Sequence, residues 1–70
     1  MRYVYFKEID SEEPKEYGLP LGRFWVKRAF TDKGKEVCEI YSYDYGPGGF
    51  LVDWKLPKLL KYLNTIEKEP

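Results

Sequence analysis

The chain has 70 residues, 43% of them hydrophobic and 19% aromatic, with twelve basic and twelve acidic residues, no histidine and one cysteine. A chain this short is expected to form one domain, residues 1–70, whose core only narrowly outweighs the cost of ordering it, and its balanced charge gives no bulk attraction to nucleic acid or to an anionic membrane. With Cys38 as the single thiol there is no intrachain disulfide framework, and without histidine no zinc, copper or haem site of the usual ligand types is expected, nor any other cofactor.

In chain order, the first element is a strand over residues 2–9, where Tyr3, Tyr5 and Lys7 alternate with Val4, Phe6 and Glu8. Residues 10–22, DSEEPKEYGLPLG, hold two prolines, two glycines and an acidic cluster; they read as a long loop with room for one helical turn after Pro14. Residues 23–45 read as a hairpin about Asp32-Lys33-Gly34. A two-residue turn would force Lys33 to a positive φ, whereas a three-residue turn asks this only of Gly34, so the longer turn is favoured. Counting back from Thr31 opposite Lys35 pairs Ala29 with Val37, Lys27 with Glu39, Trp25 with Tyr41 and Arg23 with Tyr43 on one face. Phe30/Glu36, Arg28/Cys38, Val26/Ile40 and Phe24/Ser42 fall on the other. A one-residue slip would exchange the two faces.

Gly46-Pro47-Gly48-Gly49 then turns the chain, with Pro47-Gly48 suited to the centre of a type II turn. It leads into a short strand at residues 50–54. A helix follows over 57–67, where Leu56, Leu59, Leu60, Leu63 and Ile66 recur at helical spacing and Pro57 stands at the start, where a missing N–H costs nothing. The fold class is therefore α+β: a small antiparallel sheet of three to four strands with one C-terminal helix packed on one face. The helix stripe should bury against Phe24, Val26, Phe30, Cys38 and Ile40, together with Val4 and Phe6. The opposite face then displays Tyr3, Tyr5, Arg23, Trp25, Lys27, Tyr41 and Tyr43, the candidate binding surface.

Catalysis is not expected. Cys38, Ser11 and Ser42 have no histidine to activate them, and Glu36 with Glu39, or Asp44 with Asp53, read as solvated or cross-strand charges rather than an acid and base pair. The glycine-rich link leads into Phe50-Leu51-Val52, a strand, whereas a phosphate loop needs a Lys-Ser/Thr pair opening a helix. The longest apolar run is Tyr3 to Phe6, so no membrane span or signal core is expected, and the single thiol suggests a reducing, cytoplasmic setting. The absence of glutamine, a lone Asn64 and plentiful Lys and Glu lean toward a thermophilic host.

A binding module remains, and its partner depends on local charge. Residues 22–35 carry Arg23, Lys27, Arg28, Lys33 and Lys35 against Asp32, a local +4 around Trp25, as stacking on single-stranded nucleic acid would want. The strand they pair with carries Glu36, Glu39 and Asp44, a local −3 that cancels much of this field. Tyrosine, tryptophan and arginine are also the residues of protein interfaces, which tolerate the cancellation. A protein partner or a second copy of the chain is therefore the first expectation, and single-stranded DNA or RNA the second. The order of hairpin, glycine-rich link, strand and helix over Gly22 to Leu63 resembles the single-stranded-DNA-binding coactivator family. That resemblance implies the second partner class, but the family's surface is basic and this one is balanced, so no binding residue carries over from it.

Overall fold

Val4 and Phe6 alternate with Tyr3, Tyr5 and Lys7 along β1 (Tyr3–Lys7), so one side of the strand is buried and the other meets solvent. The computed structural model describes residues 2–68. It continues with β2 (Glu16–Pro20), β3 (Phe24–Phe30), β4 (Glu36–Ser42), a 3₁₀ turn (Tyr43–Tyr45), β5 (Phe50–Val52) and α1 (Leu56–Lys68). The strands form two small antiparallel sheets, β1-β2 and β3-β4-β5, and with the C-terminal helix the fold is α+β.

Strand β2 corrects the expected loop over 10–22. It pairs with β1 from Tyr3 opposite Pro20 to Lys7 opposite Glu16. Glycine and proline hide this strand in the sequence, and the pairing explains why both are tolerated. The Leu21 N–H bonds the Arg2 carbonyl and the Glu8 N–H bonds the Lys15 carbonyl. The two-residue period of the ladder therefore aims the Pro20 nitrogen at the outer edge, where no donor is needed. Gly18 lies under the Tyr5 ring, and a Cβ there would stand 2.8 Å from Tyr5 Cε1.

The hairpin keeps the register counted from its turn. Gly34 has φ 82°, its N–H bonds the Thr31 carbonyl at 2.8 Å and the Thr31 N–H bonds the Lys35 carbonyl at 2.9 Å, as a three-residue turn with a glycine bulge requires. Phe24 to Phe30 then pair in order with Ser42 to Glu36. The strand stops at Ser42, whose hydroxyl accepts the Asp44 N–H at 3.1 Å and turns the chain into the 3₁₀ segment. The expected Arg23/Tyr43 pair therefore does not form.

A bridge between Glu8 and Val52, and the Ile9 N–H on the Leu51 carbonyl at 2.9 Å, join the two sheets at one corner. The β1-β2 ribbon folds back over the inner face of β3-β4-β5 with Phe6 between them. The Phe6 ring meets Phe24 edge-on at 5.3 Å and Phe50 at 6.4 Å, and Tyr17 stacks on Phe50 at 4.1 Å. Val4, Phe6, Leu19, Cys38, Ile40, Val52 and Leu59 form the buried cluster, with Phe24 and Val26 packed against it. The cluster stops short of the hairpin tip, so Phe30, expected in the core, is 61% exposed.

Helix α1 begins one residue before the expected start, with its first bond from the Leu59 N–H to the Lys55 carbonyl. Leu59 is fully buried and Leu56, Leu63 and Ile66 are partly so, but Leu60 is 49% exposed. A single amphipathic helix presents only a narrow stripe to the core, and Leu60 falls outside it. The Arg2 guanidinium donates to the Ile66 carbonyl at 2.5 Å, which favours that helix end by satisfying a free carbonyl with a positive charge.

Candidate functional site

The outward face of the hairpin is built by cross-strand pairing. Trp25 opposite Tyr41 places two rings side by side, and they stack at 5.6 Å with 7° between their planes. The 3₁₀ turn after Ser42 swings Tyr43 against the same tryptophan, with centroids 4.9 Å apart and planes 55° apart. Trp25 is 47% and Tyr43 75% exposed, while Tyr41 is half-buried. Three aromatic side chains thus form one exposed row.

The charged residues of the row are already engaged. Lys27 stands over the Tyr41 ring at 5.6 Å and lies 3.7 Å from the Glu39 carboxylate, and Glu39 also accepts the Tyr41 hydroxyl at 2.6 Å. That hydrogen bond, then partial burial and the Glu39 charge, raise the Tyr41 phenol above its ordinary range against the opposing pull of Lys27. Arg23 meets Asp44 at 3.3 Å, a partner brought within reach by the 3₁₀ turn and not visible in a strand-only reading of residues 23–45. Behind the row, Gly49 lets the chain pass close to β4: a Cβ there would stand 2.7 Å from the Ile40 carbonyl oxygen and 3.1 Å from Tyr41 Cε1. The link is thus held against the strand that carries the row.

Tyr3 and Tyr5 do not join this row. Both are exposed on β1, whose opposite side, Val4 and Phe6, enters the shared core. Trp25 and Tyr41 lie on the reverse of β3-β4, whose own inner side, Val26, Cys38 and Ile40, enters the same core. The two tyrosine-bearing surfaces therefore look outward from different sides of the molecule, and the expected set of seven resolves into Arg23, Trp25, Lys27, Tyr41 and Tyr43 on one face and Tyr3 and Tyr5 on another.

Three further features are not legible in the sequence. Val37, on the same face as Trp25, is fully buried, and near the hairpin tip a hollow of about 560 Å³ opens between Ile9, Leu51, Phe30 and the Lys35–Asp53 ion pair. Elsewhere, Trp54 stacks on Tyr62 at 5.5 Å with Lys58 over the Trp54 ring, an arrangement that only the path from β5 into α1 creates. Cys38 is a core residue. Burial, and then the Glu36 charge, push its thiol up against the effect of Arg28, so it is a poor nucleophile. Among the described residues no cluster of three or more His, Cys, Asp or Glu side chains is placed to hold a metal, and no helix is long and apolar enough to cross a membrane. No family model matches the chain, and neither a curated protein nor a solved structure matches it.

Proposed function

We propose that this protein is a small non-enzymatic binding module that acts in the cytoplasm through the outward face of β3-β4, and that its partner is another protein or a second copy of the chain. The observation that carries this reading is the exposed row of Trp25, Tyr41 and Tyr43. Rigid rings with polar tips give large contact area at low entropic cost, and such residues dominate protein contact energies. The neighbouring charges support a protein partner over a nucleic acid. Lys27 is committed to Glu39 and Arg23 to Asp44, which leaves the row without the unpaired cations that phosphate binding exploits. The exposed rings themselves favour a second reading, single-stranded DNA or RNA stacked on the same face.

Affinity capture from the native lysate, with and without nuclease, separates the two when run beside Tyr43→Ala, which truncates an exposed side chain. A protein that survives nuclease and is lost with Tyr43→Ala supports the first reading. Capture unchanged by Tyr43→Ala refutes it. Quenching of Trp25 fluorescence by a single-stranded oligonucleotide, weakening steeply with salt, would instead establish the second.

A further inference from the structure

Strand β3 is an edge. Its one neighbour in the sheet is β4, and the Thr31 N–H on the Lys35 carbonyl fixes which of its backbone groups face that neighbour. In an antiparallel ladder these alternate, so Trp25, Lys27 and Ala29 turn their N–H and C=O groups toward β4. Phe24, Val26, Arg28 and Phe30 turn theirs outward, and no backbone group of another element bonds them among the described residues. The strand is seven residues long, FWVKRAF, with no proline, glycine or bulge, and only the charges of Lys27 and Arg28 to blunt it, and Trp25 and Phe30 on it are large exposed apolar residues. A long open edge of this kind is a template for another strand.

We infer that a second copy of the chain pairs with this edge, β3 against β3 antiparallel about a two-fold axis at Val26, to form a continuous six-stranded sheet. The chain's own chemistry selects the partner and the register. Faces match across a two-fold only when outward-bonding residues meet each other, which leaves axes at Val26, Lys27 or Arg28 for extensive overlap. An axis at Lys27 sets Lys27 opposite its own copy, and one at Arg28 does the same for Arg28; like charges directly opposed destabilise a pair. The axis at Val26 sets Val26 against Val26, Arg28 against Phe24, and Lys27 against Trp25, so that no like charges are directly opposed. Roughly six backbone hydrogen bonds close between Phe24, Val26 and Arg28 of the two copies. The dimer forms at the sheet edge and leaves the row of Trp25, Tyr41 and Tyr43 outward, so the inference stands apart from the identity of the partner bound there.

Sedimentation and amide exchange on the full chain test it. Over a concentration range of roughly 10 µM to 1 mM the solution mass should rise from one chain to two. The Val26 and Arg28 amides, free in the monomer, should exchange at least about ten-fold more slowly at the high end, and Phe30, beyond the overlap, should not change. Arg28→Pro, which adds a ring and removes an outward N–H at an exposed position, should abolish the dimer, whereas Tyr43→Ala should leave it intact. A monomer throughout the range overturns the inference. So does protection that includes Phe30, which would place the axis at Lys27 or Arg28, and so does a dimer lost with Tyr43→Ala and kept with Arg28→Pro, which would move the contact onto the aromatic face.

Discussion

Phe6 is the side chain on which the packing of the two sheets depends, and its removal tests the architecture directly. It is 1% exposed and touches Phe24 of β3 and Phe50 of β5 through edge-on ring contacts. Truncation to alanine withdraws on the order of 150 Å² of buried aromatic surface, about 4 kcal/mol at 25 cal/mol per Å². That agrees with the roughly 3–5 kcal/mol found for Phe→Ala in other cores. A domain of this size has a total stability of about 4–10 kcal/mol. Phe6→Ala should therefore remove about 4 kcal/mol, between two fifths and all of that stability, while Phe6→Leu, which keeps most of the volume but loses the ring contacts, should cost about 1–2 kcal/mol. Urea unfolding followed by tryptophan fluorescence measures both. If Phe6→Ala unfolds cooperatively within about 1 kcal/mol of the parent, the ribbon does not dock on the hairpin sheet through this ring, and the separation of Tyr3 and Tyr5 from Trp25 falls with it.

Two glycines of the link should respond for different reasons. Gly49→Ala forces a Cβ to 2.7 Å from the Ile40 carbonyl oxygen and should cost about 1–3 kcal/mol, with a change in the Tyr41 environment visible by NMR. Gly46→Ala meets open space but keeps φ at 79° with ψ at −165°, a backbone region almost confined to glycine, so it should cost about 1–3 kcal/mol and leave the Tyr41 signals in place. Tyr41, its phenol favoured in the neutral form by the bond to Glu39, should titrate after an ordinary tyrosine. The stability this brings is complete below the unfolded pKa near 10 and is lost as pH rises through the higher folded value, so Tyr41→Phe should remove a late step from a tyrosinate absorbance titration. The Cys38 thiol, fully buried and shifted upward, should resist a disulfide reagent in the native protein and react on unfolding; rapid reaction of the native chain would contradict its place in the core.

Local pattern was enough for much of this protein. Alternation marked β1, β3 and β4, Gly34 in the turn fixed the hairpin register, and the spacing of Leu56, Leu59, Leu63 and Ile66 marked the helix and its buried side. The same pairing placed Trp25 beside Tyr41 and Lys27 beside Glu39, because cross-strand neighbours follow from register alone. Strand β2 was not legible, since Gly18 and Pro20 argue against a strand until Tyr5 and an open sheet edge accommodate them. Nor was the end of β4, where Ser42 stops the strand through one hydrogen bond to Asp44 and so redirects Tyr43 and finds a partner for Arg23. What the sequence determined by itself were the elements and the contacts one ladder apart, which short-range sterics and periodicity dictate. Only the tertiary structure decided that β1 pairs with β2 and folds back across the hairpin, because burial of Phe6 against Phe24 and Phe50 is a property of chain segments far apart in sequence. That packing turned one expected aromatic face into two, and left Phe30 and Leu60 outside the core.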